Sequence, residues 1–409
     1  MEFIREKIKE KPISKRRLFM RIGTAALYGL VFSIVVCIVL VLFMPVLKKN
    51  LMTDADLSET TSTESMATES TQTEVPSFVL PPDLSLSISD YQSLQNELYN
   101  IGNSVNKSIV TVTSAENETE WMNNAYEAEG QSSGLIIMED DNYLYVLTEK
   151  KALSNGPLIR VSFANGAGAS ATLLKSDGNT GITVLTVEKR LLNTDTKNSV
   201  EVATLGDSEL VPNGSVVIAL GSPLGTNFSI LTGNITSVDN KITTQDKNYS
   251  VFTTDIVASE KGSGVLVNTS GEVVGMVIQS FSGSQDVNTL TAVSINEIAG
   301  IISNLSNGKN VPYIGLYIST VTEDISEEYD IPKGVYIKDV ATDSPAMYAG
   351  LQSGDVIIKV NNESVGTDDE YSEKISALIP GTTCEVTVKR QSGNEYYEAT
   401  CMVEIGVFE

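Results

Sequence analysis

Short runs of β-forming residues, separated by Gly, Asn, Asp and Ser, fill the middle of this chain from Lys107 to about residue 305. Helical periodicity is nearly absent from the same stretch. Closely spaced short strands of this kind are typical of β-barrels and β-sandwiches. We therefore expect a mostly β fold for the body of the chain. The clearest runs are residues 108–113, 144–148, 182–187 and 215–220.

An uncharged, apolar segment covers residues 22–47. At about 1.5 Å per helical residue it is long enough to cross the ~30 Å hydrocarbon core with some tilt. The segment is longer than the apolar core of a signal peptide, and no small-residue cleavage site follows it before Lys48. Most of the nearby basic residues precede it, which places the N-terminus in the cytoplasm. We expect a basic cytoplasmic tail at 1–21, a transmembrane helix at 22–47 and an extracytoplasmic body.

Residues 48–85 are rich in Ser, Thr and Glu and poor in apolar side chains. A segment of this composition buries too little apolar surface to offset its chain entropy. The sequence therefore predicts a disordered tether. After it, apolar residues recur every three to four positions, which predicts a short helix over 90–105. The residues that set this spacing are Tyr91, Leu94, Leu98 and Ile101.

Composition excludes several classes of function. The 409-residue chain carries a formal net charge of −24, although Lys and Arg are concentrated before residue 50. The remainder is therefore strongly acidic and repels the phosphates of nucleic acid, so we expect no nucleic-acid partner. The chain has three Cys and no His. This excludes a disulfide-rich scaffold and disfavours a zinc site, and we expect neither a metal nor a cofactor.

Five segments form an ordered series of motifs, in residues 106–112, 132–148, 205–225, 232–237 and 264–275. The clearest pieces are LGDS at 205–208, LGSPLG at 220–225 and GVLVN at 264–268. In this order they resemble the HtrA/DegP family of trypsin-like serine proteases. The resemblance implies two six-stranded β-barrels with a cleft between them, over residues 86–305. It also implies a bacterial protein of the cell membrane.

The C-terminal residues 306–409 mix strands with two predicted helices, at 345–349 and 368–378. The stretch SPAMYAGLQSGDVI at 344–357 resembles the PDZ domain of the same family. In such an α+β domain, backbone N–H groups of one loop receive the terminal carboxylate of a peptide, which adds as a strand to the sheet edge. The resemblance therefore implies that the chain binds peptide C-termini or unfolded proteins.

The PDZ resemblance also assigns individual residues. It assigns the carboxylate-binding loop to Tyr313, Ile314, Gly315 and Leu316. It places Ile375 or Leu378 in the pocket for the peptide side chain. The alternative is that Tyr313 and Leu316 are core and strand residues alone.

A protease of this family needs a nucleophilic Ser, a His base and an Asp that orients the His. The resemblance matches the His position to Lys151 and the Asp position to Gly181. The nucleophile position falls on Ser263 when counted forward from the preceding motif and on Gly262 when counted back from the following one. Because the chain has no His, a Ser-His-Asp mechanism is impossible. The resemblance thus points to a pseudoprotease.

Two alternatives remain open. In the first, Ser263 attacks and Lys151 acts as base, which requires a desolvated Lys with a pKa near ~7–8. Glu149 and Glu260 are close in sequence and would raise the pKa of this Lys instead. In the second, the chain is a regulatory subunit in trimers with active HtrA paralogues, as the oligomeric habit of the family would permit.

Cys384 and Cys401 flank a predicted hairpin. A two-residue turn at Ser392 and Gly393 would place the two Cys directly opposite each other. A cross-strand disulfide is then one outcome, and two buried thiols are the other.

Overall fold

The computed structural model describes residues 87–117, 131–283, 288–393 and 395–408. The predicted basic tail at 1–21, transmembrane helix at 22–47 and tether at 48–85 lie outside the described residues. Within the described ranges, no helix combines the length and the apolar character that crossing a membrane requires.

Helix α1 (Ile88–Val105) precedes the first barrel. It begins at a capping box, in which the carboxylate of Asp90 accepts the N–H of Ser87 at 2.8 Å and the Ser87 hydroxyl accepts the N–H of Asp90 at 3.3 Å. Gly102 permits close packing, since a Cβ there would lie 2.8 Å from Cγ2 of Ile230. The predicted helix over 90–105 is confirmed and begins two residues earlier.

Six antiparallel strands form the first closed barrel. They are β1 (Ile109–Ala115), β2 (Gln131–Glu139), β3 (Tyr143–Glu149), β4 (Leu158–Phe163), β5 (Gly168–Ser176) and β6 (Ile182–Glu188). Their order around the barrel is β1-β2-β3-β6-β5-β4. Inward side chains such as Val112, Val146 and Leu185 are completely buried and form its core. A short helix α2 (Thr194–Ser199) follows.

A second closed barrel has the same design. Its strands are β7 (Val216–Ser222), β8 (Ser229–Thr243), β9 (Asn248–Val257), β10 (Ser263–Val267), β11 (Val273–Ile278) and β12 (Thr289–Ser294). Their order is β10-β11-β12-β9-β8-β7. Strand β2 of the first barrel contacts β7 and β10 of the second. Because β8 has 15 residues, its hairpin with β9 is the longest in the barrel and ends at residues 244–247.

The expectation of a nearly helix-free body fails at the short helix α2 and, over a longer stretch, directly after β12. Helix α3 (Ile295–Ser306) follows β12 directly and buries Ile298, Ile302 and Leu305. These residues recur at helical spacing, but the run lies at the end of a long β-rich stretch. The helix forms because this apolar stripe packs against the barrels.

The C-terminal domain combines one sheet with short helices. Its strands are β13 (Leu316–Thr320), β14 (Val335–Val340), β15 (Val356–Val360), β16 (Glu363–Ser364), β17 (Thr383–Ser392) and β18 (Glu395–Glu404). Its helices are α4 (Glu323–Tyr329), α5 (Pro345–Tyr348) and α6 (Asp368–Ser376). The sheet order is β13-β14-β15-β17-β18, with β16 paired to β15. The two helices predicted at 345–349 and 368–378 are confirmed in slightly shorter form, as is the mostly β fold with two six-stranded barrels.

The hairpin of β17 and β18 has a different register from the predicted one. Ser392 pairs with Glu395, so Cys384 stands opposite Val403 and Cys401 stands opposite Val386. The prediction that the two Cys face each other directly is wrong, because the tip of the hairpin lies one residue later than Ser392 and Gly393. Both thiols are free and buried.

Candidate active site and peptide groove

Lys151 and Gly262 meet where the cleft of a trypsin-like protease would be. Lys151 lies in a short 3-10 turn, Lys150–Leu153, that follows β3. Its Nζ donates to the carbonyl oxygen of Gly262 at 3.0 Å and pairs with a carboxylate oxygen of Glu149 at 2.7 Å. The structure thus brings together the position matched to the His and one of the two positions matched to the nucleophile.

Gly181, the position matched to the Asp, lies in the turn between β5 and β6. Its φ is +73°, and its carbonyl oxygen accepts the N–H of Lys150 at 2.6 Å. The turn is held by Asp177, whose carboxylate accepts the N–H and the hydroxyl of Thr180 at 3.0 and 2.6 Å. Burial raises the pKa of Asp177, and the hydrogen bonds of Thr180 counteract this. The carboxylate of Asp177 is therefore hydrogen-bonded within the turn itself, by Thr180.

Ser263 is the first residue of β10 and is 1% exposed. Its hydroxyl oxygen accepts the N–H of Ser133 from β2 at 2.9 Å. The hydroxyl therefore points into the contact between the barrels. Gly264 follows with a φ of +136°, and a Cβ there would lie 1.9 Å from the carbonyl oxygen of Leu220. This close packing fixes the start of β10.

The loop before Ser263 also uses its backbone donors. The N–H of Gly262 donates to the carbonyl of Ser259 at 2.8 Å, and the N–H of Ser259 donates to the carbonyl of Pro223 at 2.8 Å. An oxyanion hole needs free N–H groups aimed at the reacting oxygen. In this turn the N–H of Gly262 is engaged by the chain itself.

Glu149 carries the negative charge of this cluster. Its side chain is 8% exposed, and burial raises its pKa, whereas the adjacent Lys151 lowers it. The cluster therefore contains an ion pair between Lys151 and Glu149. The carbonyl oxygen of Gly262 accepts a further hydrogen bond from the Lys151 ammonium group. Among the residues that the structure describes, no group of three or more Cys, Asp or Glu side chains is placed to hold a metal ion.

The loop assigned to carboxylate binding is built as expected in its last three residues. Gly315 has a φ of +92°, and the N–H groups of Ile314, Gly315 and Leu316 converge on one point. Tyr313 differs, because its N–H donates to the carbonyl of Gly406 at 3.1 Å. Its ring stacks on Phe408 with the ring centres 5.1 Å apart.

The point of convergence is a carboxylate of the same chain. Oδ2 of Asp246 accepts the N–H groups of Ile314 and Gly315, each at 2.8 Å, and Oδ1 accepts that of Leu316 at 3.0 Å. Asp246 lies in the turn between β8 and β9 and is 7% exposed. Burial raises its pKa, and the three backbone N–H groups counteract this. The Tyr371 hydroxyl donates to Oδ1 at 2.9 Å.

No sequence pattern pointed to Asp246, because Gln245, Asp246 and Lys247 have the composition of an ordinary polar hairpin turn. The predicted pocket residues lie on and after α6. Ile375 is buried in the core of the C-terminal domain, and Leu378 packs against the same core. Ile375 also lines a cavity of about 740 Å³, together with Tyr313 and Asp246.

Comparison with known proteins finds a matching family for each of the two domains. Residues 132–276 match the trypsin-like peptidase domain family, and residues 312–400 match the PDZ domain family. The chain is 31% identical over 270 residues to a probable periplasmic serine endoprotease, DegP-like, of Halomonas elongata. It is 30% identical over 288 residues to the serine protease Do-like HtrB of Bacillus subtilis. The chain is HtrA/DegP-like.

This HtrA/DegP-like chain spans little more than half the length of those two relatives. The match covers 64% of the chain and 54% of the Halomonas protein, and 66% of the chain and 61% of the Bacillus protein. Both relatives carry the names of proteases, and these names describe those proteins.

The solved structures of two proteases share the fold. The HtrA-type protease AlgW, solved with a decapeptide, is 19% identical, with a TM-score of 0.51 over 76% of this chain and 98% of AlgW. The serine endoprotease from Yersinia pestis is 23% identical, with a TM-score of 0.52 over 76% of this chain and 98% of that protein. Identities this low establish the shared fold alone.

Proposed function

We propose that this HtrA/DegP-like chain binds the C-terminal tails of peptides or unfolded proteins through its PDZ groove and hydrolyses no peptide bonds. The observation that carries the second part is the absence of any His from the chain. In this architecture an imidazole takes the proton from the nucleophile and delivers it to the leaving amine. No other residue type in the chain does this near neutral pH without a large change in pKa.

The geometry around Lys151 and Ser263 supports the loss of activity. Lys151 is paired with Glu149 and donates to the carbonyl of Gly262, so its ammonium group is engaged by these two oxygens. The Ser263 hydroxyl is buried and bonded to the backbone of β2. The N–H of Gly262 is also occupied by Ser259. The ammonium group of Lys151, the hydroxyl of Ser263 and the N–H of Gly262 are thus each engaged by other groups of the chain.

A second candidate is an active peptidase that uses Ser263 and Lys151. The protease names of the relatives favour it. It requires Lys151 to leave Glu149 and Ser263 to turn out of the contact between the barrels. Such a turn would break the hydrogen bond from the buried N–H of Ser133 to the Ser263 hydroxyl.

A fluorophosphonate probe and an unfolded protein substrate distinguish the two candidates. The purified full chain should give neither labelling nor cleavage, whereas a His-containing DegP-like protease, as the positive control, should give both. Labelling that disappears in Ser263→Ala, together with cleavage that disappears in Lys151→Ala, would establish the active peptidase and refute our proposal.

Peptide binding has its own test. Peptides with a free C-terminal carboxylate are compared with the same peptides as C-terminal amides. A PDZ groove binds the carboxylate through backbone N–H groups, so amidation should weaken binding by at least about 10-fold, or roughly 1.4 kcal/mol. Equal binding of both forms would refute the proposal that the PDZ groove binds the terminal carboxylate.

We also propose that residues 22–47 anchor the chain in the cell membrane with its body outside the cytoplasm. The uncharged length of this segment and the basic residues before it support this orientation. The chain should stay in the membrane fraction during alkaline carbonate extraction. Protease added to intact spheroplasts should remove the body. Protection of the body would reverse the proposed orientation.

A further inference from the structure

The contacts of Asp246 are those that a PDZ groove makes with the last residue of a peptide. A bound peptide places a carboxylate on the N–H groups of the loop and donates a main-chain N–H to the neighbouring strand. The Asp246 carboxylate accepts the N–H groups of Ile314, Gly315 and Leu316. The N–H of Asp246 donates to the carbonyl of Leu316, the first residue of β13, at 2.7 Å. A side-chain carboxylate thus takes the place of a chain terminus.

We propose that the turn at residues 244–247, which we call the plug turn, is an internal and displaceable ligand of the PDZ groove. Two carboxylates cannot share the same three N–H groups, so an incoming peptide tail and the plug turn exclude each other. The inference rests on the proposed peptide binding, and it specifies how that binding is regulated. The groove is closed at rest, and it opens when the plug turn leaves.

Contacts around Asp246 hold the plug turn from both walls of the groove. On α6, the Ser372 hydroxyl donates to the Asp246 carbonyl at 2.8 Å and the Tyr371 hydroxyl donates to its carboxylate at 2.9 Å. On β13, the Tyr317 hydroxyl accepts the side-chain amide of Gln245 at 3.1 Å. All of these groups lie on the two elements between which a peptide would be held.

A hairpin turn does not itself require a buried acid. Asp246 has a φ of +62°, a conformation that Gly and Asn adopt with less strain, and hairpin tips commonly use these residues. A carboxylate that is removed from water is costly unless donors satisfy it. Here three backbone N–H groups and the Tyr371 hydroxyl do so. The acid at position 246 is therefore explained by the PDZ loop that it contacts.

Substitution of Asp246 tests whether it occupies the loop. In the full chain, Asp246→Ala should accelerate deuterium exchange of the N–H groups at residues 314–316 by at least about 10-fold, because their acceptor is gone. Asp246→Asn keeps the shape and should give a smaller increase. Asp255→Ala is the matched control, since Asp255 lies on β9 with its carboxylate bonded to Asn234. Unchanged exchange in Asp246→Ala would overturn the inference.

Peptide affinity tests whether the plug turn competes. A peptide with a free carboxylate should bind Asp246→Ala at least about 10-fold more tightly than the wild-type chain, and Asp255→Ala like the wild type. Equal affinity for the wild type and Asp246→Ala would overturn the inference and leave the proposed function intact. Faster exchange at 314–316 without peptide binding by either protein would overturn the proposed function and leave the occupancy by Asp246 established.

Discussion

The ammonium group of Lys151 lies 2.7 Å from a carboxylate oxygen of Glu149 at the end of β3. The carboxylate is buried, whereas the Lys side chain is 38% exposed. The pair is therefore a half-solvated cation that neutralises a buried anion. It stands where the resemblance to HtrA proteases expects the end of the catalytic His motif.

Replacement of Lys151 by Met should destabilise the chain in a pH-dependent way. Burial raises the folded-state pKa of Glu149 above its ordinary 4.5, so the native state holds this proton more tightly than the unfolded state does. The contribution of Glu149 to stability is therefore lost as the pH rises from 4.5 through its raised folded-state pKa. Lys151→Met removes the charge that opposes the shift. We expect a loss of about 1–2 kcal/mol near pH 8, discounted for the exposure of Lys151, and a smaller loss near pH 5.

Urea unfolding at both pH values measures this effect. Lys150→Met is the control, because Lys150 is the exposed neighbour in the same turn. An equal loss for Lys151→Met at the two pH values would show that Glu149 does not carry the effect.

Replacement of Arg390 by Met should destabilise the PDZ domain, because it breaks the ion pair with the buried carboxylate of Asp355. Arg390 bonds both carboxylate oxygens of Asp355, at 2.8 and 2.7 Å, and the Asp355 side chain is 2% exposed. Arg390→Met leaves a buried carboxylate without its cation and should cost about 3–5 kcal/mol in urea unfolding. Lys389→Met is a matched control on the same strand, since its partner Glu398 is exposed, and should cost less than about 1 kcal/mol. Similar costs for both would contradict the prediction.

Ser263→Ala should lower stability. The substitution removes the acceptor of the buried N–H of Ser133, which costs about 1–3 kcal/mol when no other acceptor replaces it. The free energy of unfolding, compared with that of Ser303→Ala on the exposed side of α3, measures this contribution. If Ser263→Ala has no more effect than Ser303→Ala, the hydroxyl is not a structural acceptor.

Cys384 should react slowly in the native chain. Burial raises the pKa of its thiol to about 11, so little thiolate forms near pH 8. Because the folded state holds this proton more tightly, its contribution to stability is lost as pH rises from 9.0 to about 11. Pulse alkylation followed by peptide mass spectrometry should show modification at least about 10-fold slower than in urea. Ser303→Cys supplies an exposed thiol for comparison, and equal rates at both sites would refute the prediction.

The fold was predictable because its signals are local. Short β runs and motif order indicate two barrels and a PDZ domain, and helix spacing indicates α1. The hairpin register of β17 and β18 was missed by two residues, because Ser392, Gly393 and the residue after it all favour turns. Helix α3 was missed because its apolar stripe is short and directly follows β12.

The candidate site was predictable only in part. Motif offsets pointed to Lys151 and Gly181, and to either Gly262 or Ser263 for the nucleophile. Of these, Lys151 and Gly262 meet across the cleft. The inward direction of the Ser263 side chain depends on how the two barrels pack, and no local pattern encodes this. The Asp246 contact joins a turn in one domain to a loop about 70 positions later in the chain. Such a contact follows from domain docking, which a single sequence does not display.

The left-handed backbone at Gly181 has a consequence for engineering. Nothing lies within 4 Å of a Cβ at this position, so space is not the obstacle to an Asp there. The obstacle is the φ of +73°, which costs a residue with a side chain of order 1 kcal/mol. An Asp grafted at position 181 would therefore have to adopt a left-handed backbone, as Asp246 does with a φ of +62°, at a strain cost of this order.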